Sequence, residues 1–130
     1  MKEIKTDTTE QENLLKELAN RGDIEALRMK RYLSMRDLSR TEGSPIAELV
    51  RRISTIDDYK DFDVIEVPEI MSTEIAFDFF DFPADHPARS KSDTYYIDPT
   101  HILRTQTTVM WYYYLRLPEV VERMKNKEPI

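Results

Sequence analysis

The chain has no cysteine among its 130 residues, which excludes disulfides, thiolate nucleophiles and cysteine-based zinc sites. Histidine is almost as scarce. Only His86 and His101 occur, so a His-rich metal site is not expected. Glycine is confined to Gly22 and Gly43, and no Gly-rich phosphate loop can be written with two. No run approaches the ~20 apolar residues that cross a bilayer. The N-terminus, Met-Lys-Glu-Ile-Lys-Thr-Asp, has no apolar signal core. These absences lead to the expectation of a soluble, cytoplasmic protein with no membrane partner. An excess of positive charge is missing too. Net charge is −6 and the pI about 5.0, which argues against binding nucleic acid through a general basic field. Arg28, Lys30, Arg31, Arg36 and Arg40 are interspersed with Asp37 and Glu42 and read as a solvated helix face.

What is present suffices for a core. Apolar residues make up 40% of the chain, with one Trp, seven Tyr and five Phe, in a length that fits one small domain or part of a larger one. Residues 1–9 are polar and expected to fray. Residues 10–20 read as a helix with Leu14, Leu15 and Leu18 on one face, ended by Asn20-Arg21-Gly22. Asp23 is placed to cap a second helix, giving an N-terminal helical hairpin over 1–40. After a linker at 38–44, Ser44 and Pro45 open the clearest helix, with Ile46, Leu49, Val50, Ile53 and Ile56 at helical spacing. A strand is predicted over Phe62–Pro68 from its β-branched residues. The apolar stretch 70–82 reads as core rather than as a base-stacking platform. Near the end, Thr107 or Thr108 is expected to cap a helix that is apolar all round and therefore buried. A last amphipathic helix opens at Leu117-Pro118, with Val120, Val121 and Met124 inward and Arg123, Lys125 and Lys127 outward.

Between Phe82 and Thr108 the periodicity breaks down. Prolines and polar groups concentrate, and two β-like runs, Tyr95–Ile97 and Ile102–Arg104, face each other across Asp98-Pro99-Thr100-His101. Residue type and spacing leave two readings open. One is a surface loop leading into a hairpin. The other is a ligand rim, with Arg89 and Arg104 as cations and Thr105, Gln106, Thr107 and Thr108 as neutral hydrogen-bonding groups.

The same stretch resembles the catalytic domain of the phenylalanine–tRNA ligase α subunit, a class II aminoacyl-tRNA synthetase. That family carries Phe-Pro-x-x-His-Pro-Ala-Arg-x-x-x-Asp-Thr-Phe/Tyr-Tyr, followed by Leu-Arg-Thr-His-Thr-Ser. The chain matches at Phe82, Pro83, His86, Pro87, Ala88, Arg89, Asp93, Thr94, Tyr95 and Tyr96, and again at Leu103, Arg104, Thr105 and Thr107. The resemblance runs from about Ser44 to the end. It implies an α+β fold, a partial class II synthetase-like antiparallel sheet with flanking helices, and an incomplete catalytic domain over 44–130. The helix and the strand ending in Pro68-Glu69 resemble motif 1, whose role in the family is the dimer interface; the family's Gly before this proline is Val67 here.

By the same resemblance, Arg104, Thr105, Gln106, Thr108 and Trp111 fall at substrate-binding positions, and His86, Arg89 and Asp93 in the active-site loop. Gln106 and Thr108 stand for the family's His and Ser and keep comparable hydrogen-bonding groups. Trp111 stands where the family has a Gln of the amino acid pocket, a larger change. Motifs 2 and 3, with their ATP-binding arginines, are not found. The implied function is part of an α-type subunit that activates phenylalanine with ATP and Mg²⁺ and passes it to tRNA. This chain would supply the dimer unit and one wall of the site, with no catalytic residue and no cofactor of its own. The implied partners are a β-type subunit or a second α copy, and tRNA. An inactive synthetase paralogue acting as a binding module is the alternative, and a helical interaction protein unrelated to synthetases a third.

Overall fold

A computed structural model describes residues 2–130. The segment expected to fray is instead a strand, β1 (Lys2–Lys5), running parallel to β2 (Asp63–Glu66), with Lys2 beside Asp63 and Ile4 beside Ile65. Thr6 extends the contact by donating both its N–H and its hydroxyl to the Glu66 carbonyl, at 2.9 and 3.0 Å. The segment carries one apolar residue between charges, so its order comes from main-chain bonding to a distant strand and not from local apolar pattern.

Helix α1 (Thr9–Ala19) begins where the Thr8 hydroxyl accepts the Gln11 N–H at 3.1 Å, and it buries Leu14 and Leu18, four residues apart on one face. Helix α2 (Ile24–Leu33) is capped by Asp23, which accepts the Ala26 N–H at 3.1 Å. Bonds from Arg21 hold the Asp23 carboxyl down at about 2. Helix α3 (Pro45–Ser54) starts at Ser44, whose hydroxyl accepts from Ile46, after a turn that Gly43 enters at φ +78°. The start of α3 is as expected. Its apolar face is not covered: Ile46, Leu49, Val50 and Ile53 all stay more than two-fifths exposed.

The strands β3 (Ile70–Ser72), β4 (Tyr96–Asp98) and β5 (His101–Leu103) make an antiparallel sheet in the order β3-β5-β4. Met71 lies opposite Ile102, and Tyr96 opposite Ile102 on the other side, with a bulge before Asp98. Alternation sends neighbouring side chains to opposite faces. Ile70 and Ile97 join Leu14, Leu18, Ala26 and Met29 of the helical hairpin in one core. Met71 and Ile102 join Val67, Ala76, Phe77 and Val109 in the other. The sheet is the shared layer of an α+β fold.

Helix α4 (Thr73–Ala76) follows β3 directly and leads to a single 3₁₀ turn at Asp78–Phe80. After β5, a 3₁₀ turn at Thr107–Val109 runs into α5 (Met110–Tyr114) with no side-chain cap, which corrects the expected Thr cap. Nor is this helix buried on every side. Val109 and Tyr114 are buried while Trp111 is half exposed, because the helix lies along the rim of a cleft. Helix α6 (Pro118–Lys125) buries Val120 but exposes Met124, and Arg123, expected to face outward, turns inward to Asp63. Positive φ is taken, among the described residues, by Gly43, Asp81 and Lys127. Val67 is not among them, so that position does not require glycine.

Candidate functional site

The loop 82–96 is built from its own side chains. Arg89 donates from Nε to the Pro83 carbonyl at 2.9 Å and from Nη2 to Asp78 at 2.6 Å and to the Phe82 carbonyl, with its guanidinium 5.0 Å from the Phe77 ring centre. His86 Nδ1 accepts the Ala88 N–H at 3.1 Å, and its ring meets Phe82 edge to face at 4.6 Å. The buried Thr94 hydroxyl donates to the Ala88 carbonyl at 2.6 Å, and Tyr96 donates to the Arg89 carbonyl at 2.6 Å. Asp93 stays exposed and accepts from the Ser92 hydroxyl at 3.3 Å. Charge-assisted bonds to main-chain carbonyls fix an irregular segment that no ladder supports.

The Pro68–Glu69 corner lies directly beneath the next candidates. Pro68 is fully buried. The Glu69 carbonyl accepts the Arg104 N–H at 2.7 Å, and Arg104 Nη1 donates to the Val67 carbonyl at 3.1 Å. Gln106 Nε2 donates to the Ala76 carbonyl at 3.0 Å. Arg89 and Gln106 are thus turned toward the protein, while Arg104 and Thr105 stay exposed.

Thr108 and Trp111 come together at a different place, a cleft of about 500 Å³ between β2, α5 and α6. Phe62, Ile65, Met110 and Tyr114 give it apolar walls, with Thr107 and Thr108 at the rim. At one side Asp63 accepts from the Tyr114 hydroxyl at 2.6 Å and from Arg123 Nη1 at 3.1 Å. Arg123 also donates from Nε to the Pro129 carbonyl at 3.0 Å. The Tyr114 bond, aided by Arg123, holds the Asp63 carboxyl below the usual carboxylate range, and burial pushes the Tyr114 phenol up. An apolar hollow with a few fixed polar groups suits a small amphipathic ligand or a partner's side chain. The cleft does not take in Arg104, Thr105 or Gln106.

Asp63, Tyr114 and Arg123 were not legible as a group, since they come from three elements. One signal was available. Arg123 lies three residues after Val120, and residues at that spacing share a helix face.

The chain is a member of the family described as the class II tRNA synthetase core domain (F), whose model matches residues 27–130. Among curated proteins it is similar to the phenylalanine–tRNA ligase alpha subunit of Saccharophagus degradans, 40% identical over 85 residues that make up 65% of this chain and 23% of the relative. The alpha subunit of Idiomarina loihiensis is 33% identical over 106 residues, 82% of this chain and 32% of that protein. The mitochondrial phenylalanine–tRNA ligase of Saccharomyces cerevisiae is 40% identical over 81 residues, 58% of this chain and 17% of the relative. The matched stretch is about a quarter of the length of such relatives, 23% in the first two alpha subunits. No solved structure matches the chain. Among the described residues no helix is long and apolar enough to cross a membrane.

Proposed function

We propose that the chain is part of a phenylalanine–tRNA ligase α-type subunit, acting in the cytoplasm to join phenylalanine to its tRNA at the expense of ATP. The observation that carries this is the family match across residues 27–130, with relatives named phenylalanine–tRNA ligase alpha subunit at 33% and 40% identity. The chain's share of the work is architectural. The α3–β2 unit supplies the face for a second α copy or a β-type subunit through the exposed stripe of α3 and Glu69; Pro68, expected at that interface, is buried and only shapes the corner. The segment Arg104–Thr108 with Trp111 supplies one wall of the amino acid site. Thr108 and Trp111 line the cleft, Arg104 and Thr105 present exposed donors outside it, and Gln106 fixes the segment between them to Ala76. His86, Arg89 and Asp93 shape the loop beside it.

ATP and Mg²⁺ complete the chemistry in the whole enzyme. Arg89 is engaged by carbonyls and Asp78. The transition state of adenylate formation needs fixed cations at the phosphorus.

The test is a chimera in which residues 44–130 replace the corresponding segment of the Saccharophagus degradans alpha subunit, assembled with its partner subunit. Phenylalanine-dependent exchange of pyrophosphate into ATP is expected to persist with a raised KM for phenylalanine, lowered again by Trp111→Gln. A folded, assembled chimera with no exchange overturns the reading. That outcome would favour the second reading, an inactive paralogue serving as a binding module. The half-exposed apolar face of α3 supports this second reading.

A further inference from the structure

His101 stands between two carboxylates from separate parts of the chain. Its Nδ1 lies 2.9 Å from both carboxylate oxygens of Asp98, across the β4–β5 turn. Its Nε2 lies 3.0 Å from Glu10 Oε1, on the first turn of α1. The imidazole side chain is only 18% exposed. Thr100 completes the turn, giving its N–H to Asp98 at 2.8 Å. Only the imidazolium can donate from both nitrogens. The neutral ring can keep its N–H on Asp98, but its Nε2 lone pair then points at the Glu10 carboxylate.

We propose that His101 is a proton-operated latch: protonated, it ties α1 to the β4–β5 hairpin and positions the Arg104–Thr108 segment that leaves that hairpin; deprotonated, it lets Glu10 go. The mechanical path is short. Glu10 opens α1, His101 begins β5, and β5 runs straight into Arg104. The inference does not depend on the proposed reaction.

The groups that bond the ring are acidic or neutral. On the hairpin side are Asp98 and the Thr100 hydroxyl, the latter 3.2 Å from Nδ1. On α1 the facing group is Glu10. From β3, Ser72 is the neutral register partner of His101. Arg21, beyond α1, donates to the Ile97 carbonyl at 2.5 Å and pairs with Asp23 at 2.9 Å. Glu74, Asp78 and Arg116 line the cleft that Glu10 borders. Burial alone would lower the His101 pKa, but the bonds to Glu10 and Asp98 outweigh it and raise it above the ordinary 6.5. Burial likewise works against ionised Asp98, and the bonds from Thr100 and His101 leave its carboxyl below the usual range. A folded-state pKa raised in this way gives stability that is complete below the unfolded value of about 6.5 and lost as pH climbs through the folded value.

The test follows the His101 ring by NMR between about pH 5.5 and pH 9, with amide-exchange protection of α1 measured against unfolded-chain rates. The His101 midpoint is expected above the ordinary value of about 6.5. Protection of α1 should fall about five- to tenfold across that midpoint, the ratio an ordinary hydrogen bond supports and the one expected here because the Glu10 carboxylate is half exposed. Resonances of Thr105–Thr108 should move with the same midpoint. In Glu10→Gln the midpoint should drop, and in both Glu10→Gln and His101→Gln the α1 protection should become flat with pH. A midpoint at or below the ordinary value, still resonances at Thr105–Thr108, or an unchanged pH curve in the variants would overturn the latch. Glu10 is exposed on the first turn of α1, so its variant answers the question even if His101→Gln does not fold.

Discussion

The loop 82–96 and helix α3 make an instructive pair. The loop has one 3₁₀ turn, at Pro87–Arg89, and no other regular structure before β4 opens at Tyr96, yet four of its side chains bond inward and three of those bonds end on main-chain carbonyls at 2.6 to 2.9 Å. Helix α3 has a capped start, proline in its first turn and an ideal apolar stripe, yet buries no residue. Regular local structure and tertiary anchorage are therefore separate properties. The first follows from neighbours in sequence. The second needs a complementary surface, and for α3 this chain does not supply one.

The most direct way to break the contrast is Arg89→Met. The guanidinium is largely buried and holds Pro83, Phe82 and Asp78 together. Leaving those acceptors without a donor should cost about 2–3 kcal/mol, seen as a lower urea midpoint, with exchange protection lost first across 82–96. A midpoint within experimental error of wild type would mean the loop is held by Phe77 and Phe82 packing alone.

A smaller effect comes from acid. Asp63 has a folded-state pKa below its unfolded one, owing first to the Tyr114 bond and then to Arg123. Its contribution is therefore complete above the unfolded value of about 4 and lost as pH falls through the folded value. The Asp63 side chain is only 14% exposed, so about 1–2 kcal/mol is expected. Asp63→Asn should flatten the acid limb of the stability–pH curve, read from thermal midpoints between about pH 2 and pH 6. Because Asp63 follows the α3 unit, this locates where anchorage resumes.

The smallest effect sharpens the comparison most. Leu49→Ser on α3 should change unfolding stability by no more than about 0.5 kcal/mol, as for a surface position. It should lower self-association, which the wild-type chain is expected to show through its uncovered apolar stripe. Sedimentation at rising concentration checks this, and equal association in both proteins would mean that α3 is not the sticky surface.

Much of the fold was legible. The Asp23 and Ser44 caps and the hairpin rest on local chemistry and appear where expected, the strands shifted by one residue to Tyr96–Asp98 and His101–Leu103; the apolar 70–82 stretch is core at Ile70, Met71, Ala76 and Phe77, while Phe79 is half exposed. What escaped depends on long-range partners. Strand β1 is polar and gains order only from residues some sixty positions on. Arg123 looked solvent-facing because its charge outweighed its phase on α6. Within the matched block, residue type did not show the internal division that the structure makes. Identical-looking polar residues diverge there, Gln106 and Arg89 bonding inward while Thr108 and Trp111 face a cleft, and only the backbone path decides which.

The pairing of β1 with β2 also has a temporal side. Lys2 is made long before its partner Asp63; at ribosomal speeds of ~5–20 residues per second the strand waits roughly 3–12 s for a mate. During that wait it is an open edge in a crowded setting. Lysines and a glutamate around a single isoleucine make it a poor template for any other strand. The residues that disguise β1 as a frayed end keep it available until β2 arrives.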